Sequence, residues 1–160
     1  MKKITEQDKA FMREAIRLAN ESVERGGGPF GAVIVKDGEI VAGSANSVTL
    51  DNDPTAHAEV NTIRQACKKL GTFDLSDCVI YTSCEPCPMC LGAIYWAHLR
   101  CIYYGNNKSD AAAIDFDDDF IYKELDKPMS KRSVPFIPLL RDEANVTFRK
   151  WTEKPDKTEY

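Results

Sequence analysis

Apolar residues recur every three to four positions between Glu6 and Glu24. Phe11, Ala15, Leu18, Ala19 and Ser22 share one stripe, while Arg13, Arg17, Glu21 and Glu24 fall off it. That period predicts an amphipathic helix laid on a core. Gly26-Gly27-Gly28-Pro29 stops it. Neither a Lys-Ser/Thr pair nor a spaced G-x-G-x-x-G follows, so the glycines read as a flexible turn and not as a phosphate cradle. Residues 30–36 are an apolar run, Asp37-Gly38 is a hairpin signal, and residues 40–45 return as a second strand.

After a polar loop over residues 46–53, Val60, Ile63, Cys67 and Leu70 recur at helical spacing, and Gly71 stands where a helix stops. Asp53 offers an N-cap and Pro54 suits the first helical position, which predicts a start at Pro54. Residues 77–82 read as a buried strand. The next helix, opened by Pro86 or Pro88, runs through Leu91, Ala93, Ile94 and Trp96, and residues 101–104 form the following strand. This alternation implies parallel pairing. It also puts the connecting loops at the carboxyl ends of strands, where open α/β sheets carry their sites. Beyond Gly105, residues 107–110 read as loop and residues 115–120 as an acidic helix start, with Phe116 and Phe120 partly buried. An edge strand is predicted over residues 136–140, next to Pro135 and containing Pro138, and a last helix over residues 143–151. The polar stretch 154–160 has a composition that favours disorder.

Chemistry concentrates at two of these helix starts. Cys87 and Cys90 have the C-x-x-C spacing that lets one turn present two thiolates to a single ion, and a helix N-terminus lowers thiol pKa. His57 adds a third ligand. Three nitrogen and sulfur ligands suit Zn²⁺, and a fourth position left to water makes such a site catalytic. Glu59 then matters, because H-x-E followed by P-C-x-x-C is the pattern in which zinc deaminases use the glutamate as a proton shuttle and not as a ligand. A helix turns about 200° over two residues, so His57 and Glu59 cannot share a side face but can share an end. Cys84 keeps an alternative open. It stands one C-x-x-C step before Cys87, so that His57, Cys84, Cys87 and Cys90 would form a closed structural Cys₃His site. A thioredoxin-like reading of C-x-x-C lacks the expected βαβ context.

Composition narrows the classes. A chain of 160 residues with 43% hydrophobic and 29% charged residues suits one soluble domain spanning 1–160. No apolar run approaches the roughly 18 residues of a membrane span, and the N-terminus lacks the apolar core of a secretory signal. We therefore expect a cytoplasmic enzyme with no membrane partner. Of six cysteines, Cys67, Cys78 and Cys101 sit in apolar periodic segments and read as buried thiols. A net charge of −4 weighs against a nucleic-acid partner and favours a small substrate.

His57-Ala58-Glu59 and Pro86-Cys87-Pro88-Met89-Cys90, in an α-β-β-α-β-α-β order, resemble the cytidine deaminase-like superfamily. Gly28-Pro29-Phe30-Gly31-Ala32-Val33, residues 52–60, residues 82–96, Phe116-Asp117-Asp118 and a terminal tyrosine extend the likeness to the bacterial guanine deaminases. The resemblance implies a three-layer α/β/α fold with a mixed five-stranded sheet and an N-terminal antiparallel hairpin. It also implies one Zn²⁺ per chain on His57, Cys87 and Cys90, with Glu59 and Asp118 catalytic and Asn46, Phe30 and Tyr160 contacting the base. The implied reaction is hydrolysis of guanine to xanthine and ammonia. A homodimer is implied too, with the C-terminal segment, about 141–160, exchanged between subunits. The zinc motifs by themselves do not choose the base. Cytosine, cytidine and tRNA adenosine stay open as substrates, and so does the structural zinc module.

Overall fold

The computed structural model describes residues 3–160. Helix α1 (Glu6–Glu24) begins with a reciprocal cap. The Thr5 hydroxyl accepts from the Asp8 N–H at 3.1 Å, and the Asp8 carboxylate accepts from the Thr5 N–H at 2.8 Å. Strands β1 (Gly31–Lys36) and β2 (Glu39–Ala45) form the expected hairpin. Asp37 and Gly38 have φ of 50° and 81°, the paired left-handed residues of a tight turn whose twist matches the strands.

A single turn, α2 (Val48–Asp51), precedes α3 (Ala58–Leu70), which ends at Gly71 with φ 67°. β3 (Cys78–Cys84), α4 (Pro88–Trp96), β4 (Ile102–Asn106) and α5 (Lys108–Ala112) follow. The sheet order is β2-β1-β3-β4. β3 and β4 are parallel, as expected, but β1 runs antiparallel to both β2 and β3. The reason is the hairpin: β2 feeds the crossover through α3, and β1 has reversed direction and lies between β2 and β3.

β1 is buried along all but its last residue and β3 throughout, because each is covered on both faces. Val33, Val35, Val79 and Tyr81 meet Phe11, Met12 and Leu18 of α1. On the other face Ala32, Ile34, Cys78 and Ile80 meet Ala58 and Ala66 of α3 and Ile94 of α4. The result is a helix–sheet–helix sandwich. Burying one Ile or Val side chain contributes about 1.5–3 kcal/mol, so the central rows of β1 and β3 are a main source of stability. Cys78 is fully buried, but Cys67 and Cys101 are only partly so, less than expected.

The chain divides into two compact units, with the second running from Phe120 to Tyr160. α6 (Asp119–Asp126) crosses that boundary, and a 3₁₀ turn (Met129–Lys131) and α7 (Arg141–Glu153) complete the second unit. There Glu124 accepts from Ser133 N and Oγ at 2.6 and 2.9 Å, and Arg132 lies 4.9 Å over the Phe136 ring. No residue of this unit is fully buried.

Three expectations are corrected. Among the described residues the sheet has four strands, not five. Residues 136–140 stay irregular, since Pro138 has no N–H to donate and Leu140 adopts a left-handed φ of 52°. Residues 107–110 are not loop: Asn107 accepts from Ser109 N and Asp110 N at 2.8 and 3.0 Å and caps α5. Finally, α3 starts at Ala58 and not at Pro54. Asp53 Oδ1 is used locally, accepting from the Thr55 N–H at 2.8 Å and the Thr55 hydroxyl at 2.7 Å, and this closes a turn instead of capping a helix.

Candidate active site

His57 and Cys87 occupy equivalent places: each is the extended residue just before a helix, α3 and α4 respectively. Pro88 takes the first position of α4, where a missing N–H is harmless. The fully buried Cys90 follows one turn into the helix. The two helix mouths bring His57 Nδ1 within 3.5 Å of both Cys87 Sγ and Cys90 Sγ. All three ligand atoms lie within 4.8 Å of one another.

This spacing fits the ion. A tetrahedral centre with Zn–S near 2.3 Å and Zn–N of about 2.0–2.1 Å sets nitrogen and sulfur roughly 3.5 Å apart. Among the described residues Cys84 is outside the group, and its Sγ faces the Asn107 carbonyl at 3.8 Å. Three protein ligands therefore converge, which leaves a tetrahedral ion one position for water. The thiols titrate as a pair. A hydrogen bond from Cys90, joined by His57, holds Cys87 down at about 4, and the same bond together with burial pushes Cys90 up. A divalent cation displaces such a shared proton as it binds. Burial also pushes the Cys84 thiol up to about 11, away from ligand chemistry.

Glu59 stands two residues into α3 and is only 6% exposed. The Thr82 hydroxyl donates to its Oε1 at 2.9 Å. Burial raises the carboxyl pKa, and bonds from its own backbone N–H, the Thr82 hydroxyl and Cys90 oppose part of that rise. The Asp118 pKa is raised as well, first by burial and then by the charges of Cys87 and Glu85.

Asn46 is buried just past the end of β2. Its Oδ1 accepts from the Gly28 and Val48 N–H groups at 3.3 and 3.2 Å, which fixes the side chain with its NH₂ as the remaining donor. The glycine run is thus more than a flexible turn. A Cβ on Gly28 would stand 2.9 Å from both Cγ and Oδ1 of Asn46, so a larger residue there would displace the amide. Phe30, just before β1, packs on the α3 side of the sheet and meets the Phe116 ring edge-on at 5.0 Å. Tyr160 belongs to the second unit and is 72% exposed. Sequence reasoning missed Thr82 and Gly28. The available signal for Thr82 was a hydroxyl in an otherwise apolar row of β3.

The class follows from this constellation: the chain belongs to the family defined by the cytidine and deoxycytidylate deaminase zinc-binding region, whose model matches residues 5–106. Guanine deaminase of Bacillus subtilis is 56% identical over 94% of this chain and 97% of that protein. The X-ray structure of guanine deaminase from Bacillus subtilis superposes with a TM-score of 0.92 at 55% identity, over 95% of this chain and 98% of the other. The tRNA-specific adenosine deaminase of Bacillus subtilis is 41% identical over 62% of each chain. The family's zinc dependence agrees with the donor set of His57, Cys87 and Cys90.

Proposed function

We propose that the chain hydrolyses the exocyclic amine of a free nucleobase, converting guanine to xanthine and ammonia. The observation that carries this reading is a three-ligand centre beside a buried glutamate, in a chain whose 56% identity to a guanine deaminase runs along 94% of its length. The tRNA-specific adenosine deaminases are less alike, at 41% identity over 62% of the chain or 33% over 90%, and the net charge of −4 is unsuited to a polyanion.

Held by His57, Cys87 and Cys90, zinc supplies the Lewis acidity that makes water a nucleophile near neutral pH. Glu59 accepts the proton of the attacking water and passes it to the ring nitrogen next to the carbon under attack. For guanine that carbon is C2. Asp118 protonates the amine, and as the new hydroxyl gives its proton to a carboxylate and closes to a carbonyl, the C–N bond breaks with loss of neutral ammonia. Burial raises the pKa of both carboxyls, the direction that favours a proton carrier over a permanently ionised group. The Asn46 NH₂ donates to an acceptor on the base edge, and Phe30 packs on the base face.

The active form in this reading is a cytoplasmic homodimer in which the terminal segments cross and Tyr160 of each chain closes the neighbour's pocket. Support comes from the second unit, where Ile137 and Leu139 are 83% and 80% exposed, since apolar surface of this kind marks an interface. Six cysteines without a disulfide among them suit a reducing compartment. Ammonia release from guanine, cytosine, cytidine and a tRNA anticodon stem-loop tests the assignment. Release from guanine alone is expected, and release from cytidine or the stem-loop with none from guanine overturns it.

A further inference from the structure

We propose that Thr82 is a positioning residue for Glu59, fixing which carboxylate oxygen exchanges protons. The inference rests on the reading of Glu59 as proton carrier. Thr82 lies near the end of β3, its backbone paired with Ala32 and Tyr104, and it is fully buried. Alternation along β3 sends Tyr81 toward α1 and Cys78, Ile80 and Thr82 toward α3. In that row the only hydroxyl is aimed at Glu59, and it donates to Oε1 at 2.9 Å. A glutamate has three rotatable bonds, and an untethered carboxylate would sample several rotamers. β-Branching stiffens χ1 of Thr82, so its donor is set before substrate arrives. The Glu59 backbone N–H and Cys90 also bond the carboxylate. The Thr82 hydroxyl is the donor placed on Oε1 by the sheet, and we assign the proton exchange to Oε2. The hydroxyl therefore aligns the relay without touching substrate.

Thr82→Val keeps the shape and removes the donor. Loss of a group that orients a catalytic partner typically lowers activity about 10–100-fold, and we expect kcat on guanine to fall by that factor while KM stays within about threefold. Zinc content and xanthine affinity by calorimetry should match the parent. The solvent deuterium isotope effect on kcat should rise, because proton relay becomes slower relative to the other steps, and a merely structural defect would not change it. Thr82→Ser restores the hydroxyl with a freer χ1, so its kcat should lie between the two. It also supplies the test if Thr82→Val fails to fold. A kcat for Thr82→Val within twofold of the parent, a change confined to KM or zinc, or a Thr82→Ser enzyme as slow as Thr82→Val overturns the proposal. A parent enzyme inactive on guanine defeats the substrate assignment instead, and the same comparison is then made on whichever base of the panel the parent deaminates.

Discussion

Replacing Glu59 by Gln separates catalysis from structure. The side chain is 6% exposed and accepts from Thr82 at 2.9 Å, and an amide oxygen can still take that bond. Burial disfavours the charged carboxylate, whereas a neutral amide of the same shape avoids that penalty. The melting temperature should therefore not fall, and zinc should remain, because Glu59 is not among the three ligand residues. Turnover should collapse. One acid–base group typically contributes 10²–10⁴-fold, and Glu59 serves two transfers, so a loss of at least about 10⁴-fold is expected. At about 1.36 kcal/mol per decade this corresponds to roughly 5 kcal/mol of transition-state stabilisation. The assay is ammonia release from guanine, run beside metal analysis and a thermal melt on the same preparation. Turnover within tenfold of the parent refutes the proton-carrier role. Loss of zinc along with activity refutes it as well, since that outcome makes Glu59 a ligand.

Cys84→Ser should keep one zinc per chain by metal analysis, whereas Cys87→Ser should lose it; equal losses would restore the closed Cys₃His alternative. Asp118→Asn should lower kcat on guanine by about 10²-fold and change KM little, and a change confined to KM would assign Asp118 to binding alone. Crossed segments predict complementation. A Glu59→Ala chain with its terminus intact, allowed to exchange subunits with a chain lacking residues 153–160, should restore activity at one site per mixed dimer, and full activity of the truncated chain alone would refute the exchange. Lys127 and Ser133 hold Glu124 down at about 2, so wild type should be more stable than Glu124→Gln above the ordinary carboxylate range. That advantage should vanish as the pH falls toward 2, as read from paired thermal melts.

The two ligand motifs were legible in the sequence because their spacing is set by one turn of helix, and the hairpin because Asp37-Gly38 permits little else. α1 was legible along its length, since period and glycine stop agree. What stayed hidden was local turn chemistry. Asp53 and Asn107 are both cap formers, but Asp53 spends its oxygen on Thr55 and Asn107 caps a helix of five residues. Only three-dimensional context distinguishes them. The antiparallel pairing of β1 with β3 was hidden for a different reason: sequence alternation reports that strands follow helices, not which hairpin arm lies innermost. Thr82 and Gly28 escaped notice because their importance lies in a partner 23 and 18 residues away.

The placement of His57 and Cys87 at helix entrances bears on how the protein matures. Neither ligand is part of the apolar layers formed by Ala58, Ile80 and Ile94 on one face and by Val33 and Tyr81 on the other. Those layers assemble from side chains that never meet the ion. Metallation can then follow folding as a separate event, and zinc acts as a clasp across two finished helix ends rather than as the nucleus that organises them. Chelation is therefore expected to abolish turnover while the sheet core stays folded, as ammonia release and a thermal melt on chelator-treated protein would show.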